Sequence, residues 1–164
     1  MLFVWSSLIF LSFGAYAYGE KNSPVFQIQR VYLKEISLVQ PNSPSIFLLD
    51  ENPTVEVTVD VTSMKLRDGI YEIEVSNVVT AKIRDKIAFV VKAKQAGIFE
   101  IRNLTAKKLD EVLGDGSANL IYPYLRANLA DIISRSGFPP IHMTVIDFNK
   151  FYKQRKLAMI KTNG

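Results

Sequence analysis

The chain has 164 residues, 48% of them hydrophobic, with 10 Phe, 7 Tyr, a net charge of +4 and no cysteine. That length suits one domain with a sizeable core. The missing cysteines exclude disulfides, thiolate metal sites and cysteine nucleophiles.

Met1 to Gly19 opens the chain, with no charge from Leu2 to Tyr18. Ala15-Tyr16-Ala17 has the small-x-small form of a signal-peptidase site, and the apolar run lies between a signal h-region and a short span in length. No Lys or Arg precedes it; the first is Lys21. Three readings stay open: a start assigned too far upstream, a signal, or a retained anchor. Residues 1–21 are therefore set apart from a domain at 22–156 and a short basic tail at 157–164.

Phe26 to Leu38, rich in β-branched and aromatic residues, predicts a first strand. Its alternation slips near Arg30 and Val31, which suggests a bulge. Gln40 to Pro53 holds Pro41, Pro44 and Pro53 and reads as a long loop. In the second strand, Pro53 to Thr62, Val55, Val57, Val59 and Val61 alternate with polar residues, so one face is apolar. Ile70 to Ala81 is a third strand and Ile87 to Ala93 a fourth, joined by a turn at Arg84-Asp85-Lys86. Consecutive strands with short turns predict an antiparallel meander.

Helices follow. Thr105 to Leu113 predicts a short one, with Gly114 as its C-cap. Tyr122 to Ser136 predicts a longer one, with Pro123 in its first turn and Gly137 at its end. Tyr122, Leu125, Leu129, Ile132 and Ile133 form its apolar stripe. Asp147 caps a last helix carrying Phe148, Phe151 and Tyr152. Lys150, Lys153, Arg155, Lys156 and Lys161 read as a solvated face of this region, with no nucleic-acid partner. Strands followed by helices give an α+β class: a four-stranded antiparallel sheet with helices packed on one face.

The residues offer little for catalysis. The single histidine, His142, follows two prolines and reads as structural. The adjacent pairs Asp50-Glu51 and Asp110-Glu111 are not spaced for acid/base work. Gly114-Asp115-Gly116 lacks the glycines and the Lys-Ser/Thr of a phosphate loop, and no metal-ligand spacing appears. The remaining feature is apolar surface on a small domain, which implies binding or self-association.

Phe26-Gln27-Ile28-Gln29-Arg30-Val31-Tyr32-Leu33-Lys34-Glu35-Ile36-Ser37 resembles the first strand of the SecB protein-export chaperones. Pro41-Asn42-Ser43-Pro44, Ala96-Gly97-Ile98-Phe99, Tyr122-Pro123-Tyr124-Leu125-Arg126 and Gly137-Phe138-Pro139-Pro140-Ile141 resemble later elements of that family, in family order, over about Val25 to Arg155.

The resemblance implies a cytoplasmic, ATP-independent holdase, not an enzyme and without cofactor or metal. It implies a homotetramer, a dimer of dimers, that binds unfolded precursor polypeptides and passes them to the SecA motor. Membrane contact would come only through SecA and the translocon. The implied peptide-binding residues are Phe47, Leu48, Val55, Val57, Val59, Ile98 and Phe99, with an ordinary core as the other reading of the valines. Val91, Ala93 and Gln95 match subunit-contact positions. Glu35, Val90 and Lys92 match the SecA-facing surface.

That surface is acidic in the family and meets SecA's basic zinc-binding tail. Here Val39 and Lys92 stand where acids are expected, and the chain ends Lys161-Thr162-Asn163-Gly164 without an acidic tail, so weakened docking is expected. Two alternatives belong to other classes. One is a SecB-like adaptor stabilising a single partner such as an antitoxin. The other is an enzyme dependent on His142.

Overall fold

The computed structural model describes residues 23–162. Met1 to Gly19 lies outside them. The chain folds as four long strands, β1 (Val25–Val39), β2 (Thr54–Arg67), β3 (Ile70–Ile83) and β4 (Lys86–Arg102), followed by helices α1 (Ala106–Glu111), α2 (Ser117–Arg135) and α3 (Phe148–Thr162). The sheet is wholly antiparallel, in the order β1-β4-β3-β2.

This order corrects the simple meander. β2, β3 and β4 are consecutive neighbours, but β1 pairs with β4, the Greek-key arrangement. The proline loop therefore carries the chain from one sheet edge to the other. Gln40 Nε2 donates to the Ser136 carbonyl at 2.7 Å, and Asn42 Nδ2 to that of Ile87 at 2.9 Å. Ile46 is buried beneath the loop, and Arg84 pairs with Glu51 near its far end. The anticipated bulge in β1 is present, between Ile28 and Arg30, with a second shift between Leu33 and Glu35. Asp68-Gly69 closes the β2–β3 hairpin, where Gly69 takes φ +68°, a conformation glycine adopts without strain.

The odd-numbered residues Ile73, Val75, Val79, Phe89, Val91 and Phe99 form the inner face of the sheet and are fully buried. They are covered by Ile121, Leu125, Leu129 and Ile133 of α2, each 0% exposed and each four residues after the last. That spacing keeps one narrow row on one side of a helix. Burying each such side chain contributes about 1.5–3 kcal/mol.

The helical region differs from expectation at two glycines. Gly114 does not end a helix. α1, capped by Thr105, runs into a π-helical turn, Val112–Gly116, and straight on into α2. The wider turn brings Ser117 to the Val112 carbonyl, which accepts from its backbone N–H and, at 2.9 Å, from its Oγ. Pro123 consequently lies inside α2, with its ring on the exposed side. Gly114 serves a different purpose: the Tyr152 ring of α3 lies so close that a Cβ there would overlap it. As expected, Asp147 caps α3, accepting from the Lys150 amide at 3.1 Å. The residues read as a tail continue this helix as far as Thr162.

Gly114→Ala should lower stability by about 1–3 kcal/mol, the usual cost of overpacking. In a Tyr152→Ala background the same change should stabilise, because alanine exceeds glycine by about 1 kcal/mol in a helix. Urea unfolding of the four proteins reads both signs.

Candidate functional site

β2 is an edge strand, and its inner-face valines pass from exposed at Val55 and Val57 to buried at Val61. Val55 is 38% and Val57 40% exposed, Val59 is half-buried, and Val61 is 8% exposed. Their cross-strand partners are Ala81, Val79, Asn77 and Val75, all buried. The gradient has a simple cause: α3 and the π turn stand over Val61, while the other end of the row has only the loop for a neighbour.

Phe47 on that loop stacks on Phe138 at 5.1 Å between ring centroids, and Phe138 leans on Phe89 at 5.2 Å. Phe89 is in register with Ala81, which pairs with Val55. The aromatic cluster and the open valines thus share one end of the inner face. Leu48, beside Phe47, is 86% exposed. The result is exposed apolar surface beside the open edge of β2.

Val55, Val57 and Val59 therefore form one row, while Phe47 and Leu48 lie on the loop that stacks through Phe138 onto Phe89. Ile98 and Phe99 do not join them. As consecutive strand residues they face opposite sides. Phe99 is buried against Phe26, 5.7 Å between rings, and Ile98 lies on the outer face beside Glu72. Sequence reading missed Phe89 and Phe138. Gly137-Phe138-Pro139 was the available signal, since an aromatic residue beside a helix-ending glycine is placed to fold back.

Val91, Ala93 and Gln95 lie under this chain's own α2. Gln95 Oε1 accepts from Asn128 Nδ2 at 2.8 Å. Any role in subunit contact would be exerted through α2, whose other side exposes Leu120 and Tyr124.

The outer face carries the charges. Glu35 pairs in register with Lys94, Ser37 with Lys92 and Val39 with Val90, so Glu35, Val39, Val90 and Lys92 share this surface. Sequence reading missed Lys94. Its ammonium lies 2.8 Å from Glu35 and is the main reason that the Glu35 carboxyl is held below the usual carboxylate range. The single acid matched on this surface is thus already neutralised. Beside it, Lys34 bridges Glu72 at 3.0 Å and Glu74 at 2.9 Å, and the Tyr32 hydroxyl donates to Glu72. These contacts raise the Lys34 pKa, the Glu74 bond most of all. They lower that of Glu72, where the Tyr32 bond outweighs burial. Glu72 and Glu74 were legible as the polar alternates of Ile73 and Val75.

Among the described residues no group of three or more His, Asp or Glu could hold a metal ion, and no helix is long and apolar enough to cross a membrane. His142 is exposed.

A family model described as preprotein translocase subunit SecB matches residues 19–159. A protein-export protein SecB from Janthinobacterium sp. (strain Marseille) is 61% identical, over 85% of this chain and 85% of that protein. Another, from Herminiimonas arsenicoxydans, is 57% identical over 88% of each. Among solved structures, a SecB-like chaperone of Mycobacterium tuberculosis, in complex with a peptide from an antitoxin, matches with a TM-score of 0.62. It is 15% identical, and the match covers 74% of this chain and 90% of that one. At that identity the likeness is one of fold.

Tyr32→Phe should cost about 1.5–3 kcal/mol at neutral pH, the worth of a hydrogen bond to a carboxylate. The Glu72 pKa is depressed in the folded state. The stability it contributes is therefore present above the ordinary carboxylate range and lost as pH falls through the folded value. The gap between Tyr32→Phe and wild type should close over that acid range. Urea midpoints measured from pH 7 to pH 3 report it.

Proposed function

The chain belongs to the SecB family of protein-export chaperones, and we propose that it holds unfolded precursor polypeptides in the groove between β2 and the Phe47–Phe138 cluster, without ATP. The observation that carries this reading is the half-exposed row of Val55 and Val57 on an open strand edge. A holdase must prefer unfolded chains without reading their sequence. Apolar pockets select exposed hydrophobic side chains, and an unpaired edge can hydrogen-bond any extended backbone.

The same reading includes a homotetramer, a dimer of dimers, acting in the cytoplasm and delivering clients to SecA. Exposed Phe26, Ile28 and Leu33 on the β1 edge, with Leu120 and Tyr124 on α2, are apolar surface for the two contacts. Several weak grooves on one assembly let a long client wrap, with gain from avidity. Docking to a basic SecA tail is weak in this protein. Lys92 is exposed and Lys94 occupies Glu35, so the outer face offers that tail little free negative charge. A dedicated antitoxin adaptor is the second reading. The fold of the mycobacterial chaperone favours it at 15% identity, against 61% to an export protein.

Val57→Asp separates a groove from a core. Val57 is 40% exposed, so the variant should fold with an unchanged circular dichroism spectrum. Its ability to delay aggregation of a slow-folding precursor, read by light scattering, should largely disappear. An unfolded variant, or one that protects as well as wild type, removes Val57 from the groove.

Lys92→Glu should tighten binding of a SecA tail peptide, and Lys92→Glu with Lys94→Gln more so. Both gains should be largest at low salt, where screening is least. Titration at two ionic strengths measures this. Equal affinities for all three proteins would remove this face from docking.

A further inference from the structure

In an antiparallel pair, the N–H and C=O of a residue point to the same side, and successive residues alternate. The Ile101 amide of β4 donates to the Gly69 carbonyl at 2.8 Å, so odd-numbered residues of β3 point their backbone at β4 and even-numbered ones at β2. The pairing of β2 with β3 runs unshifted from Thr54 to Lys65. The backbone groups of Val55, Val57, Val59 and Val61 therefore all face the open edge, while their side chains face the groove. At Val61 that edge is occupied. Arg155 of α3 donates from Nη1 to the Val61 carbonyl at 2.7 Å, and to Asp60 Oδ1 at 2.6 Å. Past this point lies a cavity of about 290 Å³, lined by Ser63, Leu113, Phe151 and Tyr152 among others.

We propose that Arg155 is the specificity-determining stop of client binding: it limits strand addition on β2 to Val55, Val57 and Val59, and so fixes the register of the bound segment. The proposal rests on the reading that clients bind at β2. With Arg155 in place, a client segment pairs over about 13 Å of edge, the rise of four residues. With Arg155 withdrawn, the same segment continues past Val61 to Ser63 and can lower a side chain into the cavity.

The occupant is an extended client segment with apolar residues at alternate positions and no acid between them. Glu56 and Asp60 flank the edge on its other side. A second copy of β2 laid antiparallel there would set Glu56 across from, or diagonal to, an acid of its partner, and like charges in those positions disfavour pairing.

Amide hydrogen exchange on the full chain tests the stop, with a peptide of alternating leucine and threonine ended by lysines as the probe. In wild type, saturating peptide should slow exchange at Val55, Val57 and Val59 by about tenfold or more and leave Val61 and Ser63 unchanged. In Arg155→Gln the protected set should extend to Val61 and Ser63. Lys156→Gln is the control. It breaks the 2.7 Å pair with Asp110 on the same helix without touching β2, and should keep the wild-type set.

The same protected set in wild type and Arg155→Gln overturns the stop. So does an extended set in Lys156→Gln, which would make it a property of a loosened α3. Peptide binding with no protection at Val55 to Val59 removes the edge as a docking site, while the holdase reading survives. Concentration-dependent protection without peptide assigns the edge to a second copy. Loss of both peptide binding and aggregation suppression in wild type overturns the underlying function instead.

Discussion

One helix cannot cover four strands. A helix with its side chains is about 10–12 Å across, and four strands set about 4.8 Å apart are wider than that. α2 spends its buried row on the middle of the sheet, where Val75, Val79, Val91 and Ala93 are 0% exposed. What lies under the second edge must be covered by α3 or left open. α3 reaches only the Val61 end of β2, because it is held to the π turn by the close fit of Tyr152 over Gly114. The groove follows from this shortfall. Its apolar row is continuous with the core at one end and open to solvent at the other.

The outer face solves a different problem. Among the described residues no helix covers it, and its charges are held in pairs. Most of those pairs are exposed, and such pairs stabilise little. Glu72 is the exception, with a side chain 8% exposed that holds both Tyr32 and Lys34. The arrangement has a functional consequence that is independent of stability. A carboxylate already bonded to a lysine of its own chain must give up that bond before it can attract an incoming cation. Lys34 and Lys94 therefore lower the free negative charge of this face further than substitution at Lys92 alone.

Much of the sheet was legible in the sequence, and for one reason. Where a strand has one wet and one dry face, side chains must alternate, and Val55 to Val61 alternate without interruption. The far half of β4 was less legible because Gln95, Ala96 and Gly97 are all buried. A strand covered on both sides loses its alternation. Strand order was not legible at all. Nothing local in Val25–Val39 says that it pairs with β4, since register across about 50 residues and more is set by tertiary packing. The helices show local rules overruled. Gly114 and Pro123 are ordinary punctuation marks, yet the chain stays helical through both. Glycine is needed there for close approach, and the proline faces solvent, where the carbonyl it leaves unpaired can be hydrated. Of the proposed site, the valines were readable from their alternation and Phe47 from the resemblance, but Phe89 and Phe138 were not, because the three rings meet only once the long loop has crossed the sheet.

The crossing loop and α3 thus bound the same groove from opposite ends by different means. The loop end is flanked by stacked rings, whose attraction is nearly independent of salt. The α3 end is closed by a guanidinium shared between a carboxylate and a carbonyl of the edge strand, and an interaction of that kind weakens as ionic strength rises. With Arg155 on the Val61 carbonyl, the backbone groups left open on this edge are those of Val55, Val57 and Val59. In the proposed reading the groove thus tests two properties of a chain, side-chain apolarity at the loop end and backbone hydrogen bonding along the free edge. A folded protein presents neither in quantity, since its apolar side chains are buried and its backbone groups are already paired. On the proposed reading, selection of the unfolded state requires no recognition of sequence, only that a client offer apolar side chains and unpaired backbone at once.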